Sequence, residues 1–251
     1  MKNLLIILIV LLVAQAGFGQ TDSTKVDSTS SEFIENYIEQ ALNKNDSTSL
    51  FIFNKAISLN PNIPIVYWRR GRIYHLQNKL DLAIDDYNTT IRLDSTFDCG
   101  YAFWDRALVK EDLGDNEGAL KDFDIAIEIC PKQSNFLCYR GILKYFMNDL
   151  EGAEKDLSAA IELYENYYLA RRWRAPVRTQ LNNYIGAMDD YNKASYRKDS
   201  ESNPNWAQDY YLRGLAKSKT GDIDGACIDW NIALKIGKLE TSELIEQHCE
   251  N

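Results

Sequence analysis

The sequence predicts an all-α chain of stacked antiparallel helix pairs, and three observations lead there. The stretch LGDNEGALKDFDIAIEICP (113–131) returns as NDLEGAEKDLSAAIELY (148–164) and again as TGDIDGACIDWNIALKIG (220–237). Taking the alanine of each copied line as a marker gives Ala83, Ala119, Ala153, Ala187 and Ala226, with gaps of 36, 34, 34 and 39 residues. A period near 34 marks a helical repeat array. With 45% apolar and 26% charged residues over 251 positions, the chain can bury a sizeable core and lies far from the composition of disordered segments. One helix pair cannot bury its apolar face alone, so the chain repeats the pair and stacks the copies.

The elements follow in order. MKNLLIILIVLLVAQAGFGQ places one lysine before an apolar run from Leu4 to Ala14 and then the small residues Ala14, Ala16, Gly17 and Gly19. That is the layout of a secretory signal peptide spanning 1–19, cleaved after Gly19 or Ala16. The alternative, an uncleaved anchor, would need about 20 apolar residues to cross a bilayer, more than this run supplies. The mature chain is therefore expected to be exported, periplasmic or secreted, with no membrane span. QTDSTKVDSTSS (20–31) is polar and almost free of apolar residues, a flexible tether.

From residue 32 to 240 the periodic pattern holds. Gly71, Gly141 and Gly214 stand twelve residues before a marker; Tyr87, Phe123, Leu157, Tyr191 and Trp230 stand four after it; Ala126, Ala160, Ala194 and Ala233 stand seven after it. These residues, recurring in register over about 30–237, resemble the tetratricopeptide repeat, a family of helix-turn-helix units stacked into a right-handed α-solenoid. Two helices that cross closely need Gly or Ala at the crossing, while the large residue one turn later fills the space between neighbouring units. Turns between the helices are marked by Asn78, Gly114-Asp115, Asn148-Asp149, Asn182-Asn183 and Gly221-Asp222, which tolerate left-handed backbone or cap the following helix. A weaker first unit, 30–63, holds Phe33, Tyr37, Phe53, Ala56 and Pro61, with Tyr37 and Ser49 where Gly and Ala are usual. Six units are counted, starting near 30, 64, 100, 134, 168 and 207. A last amphipathic helix, SELIEQHC within 241–251, caps the array with Leu244, Ile245 and Cys249. Pro176 falls inside the first helix of the fifth unit and is expected to kink it. RKDSESNPNW (197–206) reads as a solvated loop.

On this scaffold Cys227 and Cys249 straddle the turn near 237–240 almost symmetrically, and Cys99 and Cys130 straddle Gly114-Asp115. In an exported chain both are disulfide candidates, against the alternative of buried free thiols, with Cys138 able to compete for Cys130. There is no CxxC pair and no Cys-His cluster, so no metal site is expected.

Catalysis finds no support. His75 and His248 lie in no nucleophile or metal motif, and no GxSxG, HExxH, P-loop or GxGxxG occurs, so no catalytic residue and no cofactor is assigned. Asp85-Asp86, Asp189-Asp190 and Glu111-Asp112 read as solvated faces. Acidic residues outnumber Lys plus Arg by 37 to 28, which excludes a nucleic-acid binder that works through clustered positive charge.

What remains is surface. In the repeat family the first helix of each unit lines a concave groove, and carrying its groove offsets onto this chain selects Trp68, Arg72, His75, Tyr101, Trp104, Leu108, Glu111, Ile142, Tyr145, Arg172 and Tyr211. Aromatic side chains beside arginine suit binding hot spots. The resemblance implies a non-catalytic scaffold or adaptor that docks a peptide or partner helix in the groove; the Lys and Asn pattern of members that grip a C-terminal carboxylate is lacking. The alternatives are a structural subunit of a cell-envelope assembly, built through the convex face or end cap, and glycan recognition by exposed aromatics.

Overall fold

The computed structural model describes residues 47–194 and 206–249. The leader, the tether, the expected first helix of the first unit with Phe33 and Tyr37, and nearly all of the 197–206 junction lie outside the described residues. The chain divides into two compact units, Met1–Pro61 and Asn62–Asn251. In the first, α1 (Ser47–Leu59) buries Phe53 and Ala56.

The second unit holds α2 (Pro64–Leu76), α3 (Leu80–Leu93), α4 (Phe97–Asp112), α5 (Asn116–Ile129), α6 (Ser134–Phe146), α7 (Leu150–Leu163), α8 (Tyr168–Gln180), α9 (Tyr184–Lys193), α10 (Ala207–Lys219), α11 (Ile223–Lys235) and α12 (Thr241–His248). Consecutive helices pair as α2 with α3, α4 with α5, α6 with α7, α8 with α9 and α10 with α11. Each second helix packs in turn on the next first helix, and α12 packs on α11. Among the described residues there is no strand. The architecture is an all-α solenoid.

The turns form where left-handed backbone is cheap. Asn78, Gly114, Asn148, Asn182 and Gly221 all have positive φ, and the next residue returns its N–H to the carbonyl five back, as in Asp115 to Lys110 at 2.8 Å. The following helix is then capped by Asp115, Asp149, Asn183 or Asp222, whose side chain accepts from the N–H three residues on. In the α2–α3 pair Lys79 holds that position and caps nothing through its side chain.

Small and large residues meet inside each pair. A Cβ on Gly141 would stand 2.9 Å from Leu157 and 3.3 Å from the Ala153 carbonyl, so only glycine lets α6 approach α7 this closely. Gly214 meets Trp230 in the same way. The large residue also reaches forward: Phe123 clusters with Leu143, and Leu157 with Ala170 and Val177, each in the next pair.

A second repeated contact is ionic. Arg70, Arg106, Arg140, Arg174 and Arg213 each grip an aspartate sixteen residues on (Asp86, Asp122, Asp156, Asp190, Asp229), with Nε and Nη2 donating to its two oxygens at 2.5–2.8 Å. In four of the five pairs a further cation one turn along, Lys110, Lys144, Arg178 or Lys217, reaches the same carboxylate. All five aspartates are buried. This corrects the expectation for Asp86 and Asp190, which are interior anchors; their neighbours Asp85 and Asp189 are the solvated ones. A buried carboxylate survives because a planar fork satisfies both its oxygens.

α8 continues past Pro176 as one helical span, and a backbone irregularity not expected from the sequence lies in α4, where Asp98, Cys99 and Gly100 take left-handed φ of 44°, 56° and 84°. Within that turn Cys99 is bonded to Cys130, and Cys227 is bonded to Cys249, with Cα separations of 5.6 and 5.7 Å. Cys138 is a buried free thiol, pushed up to about 12 by burial, and does not pair with Cys130.

Candidate partner-binding site

Within the second unit the first helices α2, α4, α6, α8 and α10 lie side by side and are linked by side chains one repeat apart. Trp68 Nε1 donates to Asp105 at 2.6 Å, His75 Nε2 meets Asp112 at 2.7 Å, and Arg172 Nε donates to Asp209 at 2.7 Å, each pair 37 residues apart. Asn135 donates to the Tyr101 hydroxyl, and Gln180 to the Tyr145 hydroxyl. This cross-linked face carries the residues selected from sequence, at different depths.

Trp68 and Ile142 are 5% and 8% exposed and belong to the packing between helices. Leu108 is half-buried against the Phe123 cluster. Arg72 is exposed, with its guanidinium 5.1 Å from the Trp68 ring. Glu111 is half-buried at the end of α4, its carboxyl raised by burial and then by Asp112. Tyr211 sits beneath Lys238, 5.3 Å from its ring.

Two groups gather. In the first, Tyr101 and Trp104 pack edge-on at 5.7 Å, and Trp104 continues to Phe136 and Tyr139. Trp104 Nε1 is buried and meets no acceptor. The second group surrounds a cavity of about 200 Å³ lined by Tyr145, Trp173, Pro176, Leu212, Arg172, Gln208 and Asp209. Here α6 supplies one aromatic wall, α8 the other with the proline ring, and α10 the far side. Of this set the repeat offsets select Tyr145 and Arg172. Trp173, Asp209 and the partner residues Phe136, Tyr139 and Asp105 were missed; the 37-residue spacing of Asp105 and Asp209 from Trp68 and Arg172 was the signal that could have found two of them.

The buried carboxylates give the face a pH dependence. Burial raises the Asp105 carboxyl to about 6, against the opposing pull of Arg72 and of the Trp68 hydrogen bond. A carboxyl whose folded value exceeds its ordinary one near 4 favours the fold in acid, and that contribution is lost as pH rises from about 4 to about 6. Asp105→Asn stays neutral and can still accept from Trp68. From about pH 4 to about pH 7 the variant is expected to gain on the parent chain by on the order of 3 kcal/mol in urea unfolding. A pH-independent difference would remove Asp105 as the source.

Among the described residues no group of three or more His, Cys, Asp or Glu could hold a metal ion, and no helix is long and apolar enough to cross a membrane.

Residues 65–97 match the family model described as Tetratricopeptide repeat. The chain has the tetratricopeptide-repeat fold. YrrB, described as a tetratricopeptide-repeat protein with an unusual peptide-binding site, superposes with a TM-score of 0.63 at 19% identity, over 82% of this chain and 99% of that one. PilF of Pseudomonas aeruginosa superposes at 0.73 with 16% identity, covering 86% and 98%. A tetratricopeptide repeat protein from Parabacteroides merdae superposes at 0.58 with 21% identity, covering 86% and 98%. No curated protein matches the chain in sequence. At these identities the tetratricopeptide-repeat solenoids share architecture with this chain.

Proposed function

We propose that this chain is a non-catalytic, exported scaffold that holds a protein or peptide partner on the face built by its first helices. The observation that carries this reading is the half-buried aromatic and charged groups there, Tyr101 with Trp104 and Tyr145 with Arg172, standing on helices already fixed to one another by hydrogen bonds. Rigid aromatic area with a polar handle is what contact energy concentrates on, and a face that needs no ordering loses little entropy on binding. The fold shared with a solenoid described as having a peptide-binding site supports the same reading.

The test is affinity capture from extracts of the native cell envelope with the full chain as bait. Arg72→Glu combined with Glu111→Lys reverses two charges of the face, one exposed and one half-buried. Its partner is expected to be lost at unchanged helical circular dichroism, whereas Lys121→Glu with Lys155→Glu, on exposed positions of second helices, keeps it. The opposite pattern would move the site to the other face and refute the reading.

A further inference from the structure

Two arginines of α2 stand apart from the rest. On the other first helices every described arginine pairs with a carboxylate, and on α2 Arg70 does so with Asp86. Among the described residues Arg69 and Arg72 make no hydrogen bond and no ion pair, and the Arg69 Nε is buried with no acceptor. α2 carries no Asp or Glu of its own. Both guanidinium groups lie instead against one indole, Arg69 at 4.7 Å and Arg72 at 5.1 Å from the Trp68 ring.

That indole is a fixed platform. Trp68 is 5% exposed, its Nε1 donates to Asp105 at 2.6 Å, and Phe97 packs on it at 5.5 Å. Stacking uses the flat face of a guanidinium and leaves its five N–H donors in the plane, open to an acceptor at the edge. Burial, and after it the charge of Arg72, pushes the Arg69 guanidinium down, with Asp98 and Asp105 opposing from beyond ion-pair distance. Those two carboxylates make the paired cations tolerable and occupy none of their donors. An arriving anion relieves what remains.

Spacing and charge narrow the anion. Residues 69 and 72 are three apart on a helix, so their side chains start from neighbouring points about 5–6 Å apart. On an extended peptide, side chains two residues apart leave the same side about 7 Å apart. The chain as a whole has a formal charge of −9, which repels a long polyanion, so a short acidic stretch suits the pair better than a phosphate polymer.

We propose that Arg69 and Arg72, held on Trp68, are a docking site for an acidic segment of the partner polypeptide in which two Asp or Glu residues stand two positions apart. The proposal rests on the scaffold reading above and specifies the charge of its ligand. Each carboxylate takes one guanidinium, and a lysine in either place is repelled, so the site selects by sign and by spacing.

The experiment titrates the ¹⁵N-labelled full chain with the peptide Ac-Ser-Glu-Ala-Glu-Ser-NH₂, following the Trp68 indole signal, which Trp68→Phe assigns. A saturable shift is expected, weakened at least about tenfold when both Glu are replaced by Gln, and likewise in Arg69→Gln with Arg72→Gln. Arg72→Gln alone, at an exposed position, is expected to weaken it about fivefold at unchanged helical circular dichroism. Inorganic phosphate, a single anion, is expected to bind at least about tenfold more weakly than the peptide. No saturable shift, equal responses to the Glu and Gln peptides, phosphate binding as tight as the peptide, or a response that survives loss of both arginines overturns the proposal. If Arg69→Gln with Arg72→Gln retains an envelope partner that Arg72→Glu with Glu111→Lys loses, the scaffold reading stands and the acidic-segment assignment alone falls.

Discussion

Asp190→Ala is expected to lower the unfolding free energy by about 4 kcal/mol, the cost of breaking a buried ion pair by removing one partner. Asp190 is 0% exposed and accepts from Arg174 through two bonds, from Arg178 at 2.9 Å and from Arg171 at 3.4 Å. Without it three guanidinium groups face one another beside α9, held by the Ser158 hydroxyl, the Glu154 carboxylate and the Glu165 and Gly186 carbonyls. Asp189→Ala is the control, one residue away on the solvent side, where the side chain makes a single exposed pair with Lys193. That change is expected to cost about 0.5 kcal/mol or less. Urea unfolding of the two variants decides, and similar losses would mean that the clamp adds no more than a surface pair.

Trp230→Ala is expected to cost a comparable amount, about 4 kcal/mol, for a different reason. Its side chain is 0% exposed and lies over Gly214, where no other residue leaves room for it, and its Nε1 donates to the Tyr211 carbonyl at 3.3 Å. Removing the ring opens a void that α10 and α11 cannot close, because the adjacent Arg213–Asp229 clamp fixes their separation. Trp230→Phe keeps a ring but no N–H and is expected to fall between. Thermal and urea melts measure both, and a tolerated alanine would show that the last pair can collapse.

The repeat could be read from sequence because steric demands at a helix crossing are absolute. Ala83, Ala119, Ala153, Ala187 and Ala226 are all 0% exposed, and a close crossing favours a side chain that small, so alanine recurs in five copies with the equally buried Ser49 in the first. The turns were legible for a similar reason, since Asn and Gly are the residues that reach positive φ cheaply. The buried aspartates were not. On an isolated helix Asp86 and Asp190 look like polar positions, and only the arginine sixteen residues earlier, across the turn, makes burial tolerable; that constant offset is present in all five pairs. The face residues were half legible, because a repeat offset gives direction and not depth. Trp68 and Ile142 point sideways into neighbours where Arg72 and Tyr145 reach the surface. The cavity is a volume left among three helices that the chain visits some 30 to 40 residues apart, and no local pattern encodes an absence of that kind.

Because the forked contact closes within one hairpin, each of the five described clamps neutralises its own aspartate, whereas buried Asp209 takes its arginine, Arg172, from the copy before it. Whole hairpins can then be gained or lost by duplication or deletion without stranding a clamp aspartate, as long as a cross-copy link such as Arg172–Asp209 is not cut. The reach of the array thus becomes a quantity that selection can lengthen or shorten in single steps, while the links between successive first helices record which neighbours have been tuned to each other.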